Sequence, residues 1–219
     1  MPQTPGNLDA VLALVARTPA REGRRRLIGI AGPPASGKTT LALQVVERLD
    51  AARPGAAVLL PMDGFHLDND ALDRAGLRAV KGAPQTFDVA GFVAKVGEIA
   101  RAGVPCRFPR FDRTLDRTLP DAGLAPAEAQ IVVVEGNYLL LQEPGWATLR
   151  PLFDATVMLA PPEPVLEARL LHRWRHYGLS PEAALQRARG NDLVNARRVL
   201  DGSAAPDLLL TDAASPAAP

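Results

Sequence analysis

The chain has 219 residues, 47% of them apolar, and a net charge of +1. That is enough apolar material for one packed unit with a full core, and too little charge to favour nucleic acid or an anionic membrane as a partner. One cysteine, Cys106, excludes an internal disulfide, and no apolar run is long enough to span a bilayer. The first six residues contain no apolar signal core, so a cytoplasmic location is the expectation. Of the 25 basic residues only three, Lys38, Lys81 and Lys95, are lysine.

The elements follow in chain order. Residues 7–18 carry Leu8, Val11, Leu12, Leu14 and Val15 at helical spacing. A short apolar run at 26–31 reads as a strand, and 37–51 reads as a helix. Ala56 to Pro61 is a second apolar run, and 67–86 is too irregular for an element. Asp88 can cap a helix over 89–102. Val104 to Phe111 is a short segment leading into a charged stretch, Asp112 to Asp121. Gln130 to Val134 is the cleanest buried strand, and Ala155 to Leu159 is another. Helices follow over Glu163 to Tyr177, from Ser180 to about Arg189, and over Asn191 to Leu200. Asp207 to Leu210 reads as a last strand. Residues 1–24 would then be an amphipathic helix and linker, 25–210 a core, and 211–219 a frayed tail.

Strands alternating with helices imply an α/β fold, a mostly parallel sheet covered on both faces in three layers. In such sheets ligands bind beyond the carboxyl ends of the strands. Gly32-Pro33-Pro34-Ala35-Ser36-Gly37-Lys38-Thr39 matches G-x-x-x-x-G-K-T between a strand and a helix, the context of a phosphate loop. Its backbone N–H groups, continuing through Thr40, can surround nucleotide phosphates. Lys38 would reach the β- and γ-phosphates, and the Thr39 hydroxyl would help hold Mg²⁺.

Asp63 and Glu135 each follow a predicted strand. Asp63 is placed to accept the proton of an attacking hydroxyl. Glu135 is placed to reach Mg²⁺, directly or through water. Arg169, Arg173, Arg175, Arg187 and Arg189 form a third group. A mobile arginine segment could close over the transferring phosphoryl group and stabilise its charge. His66, Lys81, Asp88, Asp112 and Arg113, with Asp68, Asn69 and Gln85, make a polar acceptor pocket suited to a polyhydroxylated molecule. Lys81 and Arg113 could instead pair with an acceptor carboxylate or phosphate.

Taken together these segments resemble the phosphoribulokinase/uridine kinase family of phosphate-loop kinases, which includes bacterial pantothenate kinases. The resemblance runs from about Arg25 to Asp201. Its specific parts are Pro61-Met62-Asp63-Gly64-Phe65-His66-Leu67-Asp68-Asn69, Lys81-Gly82-Ala83-Pro84-Gln85-Thr86-Phe87-Asp88, Phe111-Asp112-Arg113 and Glu135-Gly136-Asn137-Tyr138. It is strongest with a bacterial branch described as fructose-transport-associated or nucleoside-type kinases. It implies a P-loop NTPase fold, Asp63 as catalytic base, an acceptor pocket from Lys81 to Asp88 and at Phe111-Asp112-Arg113, and an arginine-rich helical lid at Arg169 to Arg175.

The expected activity is transfer of the γ-phosphoryl group of ATP, with Mg²⁺, to a hydroxyl of a sugar, nucleoside or related small molecule. Lys38, Asp63 and Arg173 would carry the chemistry. Two other readings stay open. One is a nucleotide-dependent switch or accessory ATPase acting on a protein. The other is a nucleoside monophosphate kinase, for which Lys81 with Arg113 is the candidate second phosphate site. The sequence leaves the oligomeric state open, a homodimer included.

Overall fold

The computed structural model describes residues 5–211, so the expected frayed tail lies outside the described residues from 212 onward. Helix α1 spans Pro5–Arg17, followed by β1 at Arg26–Ala31 and α2 at Lys38–Ala52. Strands β2 (Ala57–Pro61), β5 (Ile131–Gly136), β6 (Ala155–Leu159) and β7 (Leu208–Leu210) join β1 in a five-stranded sheet of order β2-β5-β1-β6-β7. Every pairing in it is parallel.

Successive side chains on a strand point to opposite faces, and here both faces are covered. Leu27, Val132 and Val134 pack on one side with Phe92, Val96 and Ile99 of α4 (Val89–Ile99). Ile28, Ile30, Val133 and Val157 pack on the other with Val11, Leu14 and Val15 of α1 and Leu41 and Val45 of α2. This is why the central strands read as unbroken apolar runs rather than alternating ones. The result is the expected three-layer α/β sandwich. A further apolar cluster, Leu166, Leu170, Ala188, Leu193 and Ala196, binds α5 (Glu163–His176) to α6 (Pro181–Arg187) and α7 (Leu193–Gly202). Between α6 and α7 the chain runs through a π-helical turn, Ala188–Asp192.

Two segments depart from the sequence reading. The stretch 67–86 holds a short helix, α3 (Asn69–Arg74), and two 3-10 turns. Residues 104–125 form an antiparallel hairpin, β3 (Cys106–Asp112) with β4 (Arg117–Ala125). Its outer half is largely solvent-exposed, so it lacks the apolar run by which a strand is recognised. Its base is clamped by Arg25, a fully buried side chain. The guanidinium donates to the carbonyls of Ile99, Arg101, Val104, Pro126 and Ala129. At its other end β3 lies directly on the turn that carries Asp63. A Cβ at position 64 would overlap the carbonyl of Pro109, so only glycine fits there.

Candidate active site

The phosphate loop joins β1 to the first turn of α2. Gly37 has φ 94° and Ala35 φ 63°, both left-handed. Left-handed residues set among right-handed ones are how a loop can turn its N–H groups toward an anion. Lys38 opens α2. Sheet register does the rest. Glu135 sits opposite Ile30 of β1 and Pro61 of β2, and Asp63 follows two residues after Pro61 in a 3-10 turn, Met62–Phe65. Three strand ends therefore deliver Lys38, Asp63 and Glu135 to one cleft of about 210 Å³.

The Thr39 hydroxyl donates to Oε2 of Glu135 at 3.1 Å. Glu135 is buried, and burial raises its pKa against the pull of Lys38. Burial likewise lowers the pKa of Lys38, while Glu135 and Asp63 act to raise it. Each charge thus lacks full solvation until an ion arrives to compensate it. Arg173 lines the same cleft from α5, and burial lowers its pKa first, followed by the nearby Arg113. Arg173 makes no hydrogen bond or ion pair with the other described residues, and its half-buried side chain lines the cleft.

The remaining proposed site residues divide. His66, Lys81 and Arg113 line the cleft. His66 stacks on Phe87 with ring centroids 4.1 Å apart, and burial drops its pKa to about 4, which leaves the imidazole neutral. Lys81 donates to Oδ1 of Asp116 and Oδ1 of Asn69, both at 2.7 Å. Arg113, on the hairpin turn, pairs with Oδ2 of Asp63 at 2.9 Å. Each of these two cations thus faces a carboxylate, Asp116 for Lys81 and Asp63 for Arg113.

Asp88 and Asp112 lie outside the cleft lining. Asp88 caps α4 by accepting the Gly91 N–H at 2.9 Å. Asp112 accepts the N–H groups of Thr114 and Leu115 and so shapes the hairpin turn. The arginine cluster divides as well. Arg169 donates to the carbonyls of Ala35 and Ser36, bracing the phosphate loop from behind. Arg175 faces a separate groove with His172 and His176. Arg189 is exposed and paired with Glu167.

The cleft also gathers Asp116, Trp174, Asp192 and Asn195, to which sequence reasoning assigned no acceptor-site role, and Asn137, which it marked only as part of the Glu135 to Tyr138 segment of the resemblance. Trp174 falls on the apolar stripe of α5, yet its indole N–H donates to Oδ2 of Asp192 at 2.7 Å. Asp192 and Asn195 stand at the π-helical turn and the start of α7, whose irregularity has no legible signature.

No protein-family model matches the chain. A Schizosaccharomyces pombe protein whose name proposes a uridine kinase is 34% identical over 196 residues, covering 85% of this chain and 83% of that one. The chain belongs to the phosphoribulokinase/uridine kinase family. It is a P-loop kinase, a phosphotransferase with an alcohol as acceptor. A solved structure from Silicibacter sp. TM1040, whose name proposes a fructose transport system kinase, is 39% identical. It superposes with a TM-score of 0.87 over 92% of this chain and 98% of that one. Phosphoribulokinase from Rhodobacter spheroides, at 15% identity and a TM-score of 0.54 over 81% of this chain and 68% of that one, shares the fold alone. No helix among the described residues is long and apolar enough to cross a membrane.

Proposed function

We propose that this kinase transfers the γ-phosphoryl group of ATP directly to a hydroxyl of a sugar, nucleoside or related small metabolite. The observation that carries the reading is the meeting of Asp63 with Lys38, Glu135 and Arg173 in one cleft at the strand ends. ATP phosphates would lie in the loop Gly32 to Thr40, with the Lys38 ammonium on the β- and γ-oxygens. Thr39 and Glu135 offer two hard oxygen donors 3.1 Å apart, a set that suits Mg²⁺ completed by phosphate and water oxygens. Among the described residues no group of three or more His, Cys, Asp or Glu side chains could hold a metal alone. Mg²⁺ there would supply charge neutralisation on the phosphates.

Asp63 accepts the proton of the acceptor hydroxyl as its oxygen attacks in line. For that the carboxylate must exchange its bond from Arg113 for one from the substrate. Arg173, without a partner among the described residues, stabilises charge on the transferring group. Arg169 acts behind the loop and holds its shape. ADP release measured on Mg·ATP against a panel of sugars, nucleosides and related metabolites tests the proposal. Release that depends on one of these acceptors is the expected result. Turnover of equal rate with and without every acceptor would instead mark an ATPase acting on a protein.

A further inference from the structure

The arginine-rich helices grip the rest of the cleft at two places, and each grip is a guanidinium on backbone carbonyls. At the phosphate end Arg169 of α5 donates to Ala35 and Ser36. Ala35 itself packs on the apolar cluster that binds α5 to α6 and α7. At the far end Arg187, the last residue of α6, donates to the carbonyl of Ala79 at 3.0 Å and to that of Lys81 at 3.2 Å. The Asn191 side-chain N–H reaches the same Lys81 carbonyl at 3.3 Å. These carbonyls belong to the 3-10 turn Arg78–Val80 and its end, which present Lys81 to the cleft.

Arg187 is itself held on its other side. Its guanidinium lies over the Trp174 ring, 5.3 Å from the ring centre. Asp192 is within electrostatic reach of it and fixes the Trp174 indole through a 2.7 Å bond. Bonds to carbonyls position main chain, and so whatever side chain the turn carries. Here that is Lys81, whose ammonium bonds Asp116 of the hairpin and Asn69 of α3. A contiguous path therefore runs from the phosphate loop through Ala35 and Arg169, the apolar cluster and Arg187 to Lys81. A buried, close-packed cluster shifts as a unit rather than residue by residue, which makes such a path able to carry coupling between sites.

Resting on the kinase reading above, we propose that Arg187 is a positioning residue that makes the acceptor side of the cleft answer to nucleotide. Phosphates in the loop engage Arg173 on α5 and fix the helices. Arg187 passes that order to the turn and sets Lys81 for the acceptor. Binding coupling is reciprocal, so an acceptor held by this turn also tightens nucleotide.

Hydrogen exchange on the full chain, free and with Mg·AMP-PNP, the ATP analogue with a β–γ imido bridge, tests this. The amides of Val80, Lys81 and Ala83 bond within the turn and report on it. In the wild type the analogue should slow exchange at residues 35–40 and also at 80–83, the latter by about fivefold or more, the low end of coupling between sites. Arg187→Met keeps the length and removes the donors. It should leave the slowing at 35–40 in place and cut that at 80–83 to less than about twofold. Arg187→Lys should recover part, since one ammonium cannot span both carbonyls. Arg187→Gln provides the same readout if Arg187→Met does not fold. An arginine that merely braces the turn would loosen it equally with and without the analogue and leave the ratio intact. Slowing at 80–83 that persists without the guanidinium, or that is absent from the wild type while 35–40 respond, overturns the proposal and leaves the kinase. No response at 35–40 overturns both.

Discussion

Arg25→Met is the substitution whose cost can be worked out most fully from the structure. Methionine fills a similar volume, so the change removes mainly the guanidinium. Five buried or part-buried carbonyls then lose their donor. At about 1 kcal/mol net for each bond, the loss is about 5 kcal/mol. Two effects reduce it. Methionine carries no charge to desolvate, and burial is the leading influence on Arg25, lowering its pKa with no carboxylate bonded to it. Water can also reach the carbonyls at the hairpin base. A destabilisation of about 3 kcal/mol remains, a large share of the 5–15 kcal/mol typical of a folded domain. Arg25→Lys should recover less than half, because one ammonium cannot span carbonyls that now meet three guanidinium nitrogens. Urea denaturation of the three proteins measures this, with equal m-values required for the comparison. A variant with methionine that loses less than about 1 kcal/mol would refute the clamp. Because the clamped hairpin carries Arg113 and Asp116 into the cleft, the methionine variant should also bind the acceptor more weakly than ATP binding alone would suggest.

Arg173→Ala should lower kcat more than it raises the KM for ATP, by about 10²-fold or more as for loss of a transition-state charge donor; Arg175→Ala, on the outer groove, should change neither, and steady-state kinetics on both separates the roles. Glu135→Gln should shift the half-saturating Mg²⁺ concentration upward, with activity partly restored at high Mg²⁺, as a metal titration would show. His66 titrates near 4 in the fold against about 6.5 in the unfolded chain. The unfolded state therefore binds the extra proton between those values, so stability is fully present above about pH 6.5 and declines as pH falls toward 4. His66→Phe should remove that component of the pH–stability profile from thermal melts, and an unchanged profile would contradict the buried neutral imidazole.

The sheet was legible because its strands are buried on both faces. Arg26–Ala31 and Ala155–Leu159 were readable to the residue, and the phosphate loop identified itself by spacing. The hairpin was not legible, since Arg107, Arg110 and Arg117 interrupt a ribbon that rests on the core through Phe108 and Cys106. Within the site, residues at strand ends were found by the topology rule, but loop carboxylates were not separable. Asp88, Asp112 and Asp116 look alike in sequence, and only folding shows that two serve N–H groups of their own turns while the third neutralises Lys81. Asp192 and Asn195 had no signal because a π-helical turn presents them. The arginine cluster was visible as a cluster, yet its members face three directions, which helical spacing on a single helix could not reveal.

The central claim is that Asp63 is the base for phosphoryl transfer to an acceptor hydroxyl, and Asp63→Asn tests it most directly. Asparagine keeps the size and can still accept a hydrogen bond, but it cannot take the proton. Single-turnover transfer from labelled ATP to the acceptor, with ATP affinity measured separately, gives the needed readout. The account predicts a fall of about 10²–10⁴-fold in the transfer rate with ATP affinity changed little. Transfer at the wild-type rate would contradict it, leaving Asp63 as a turn residue paired with Arg113.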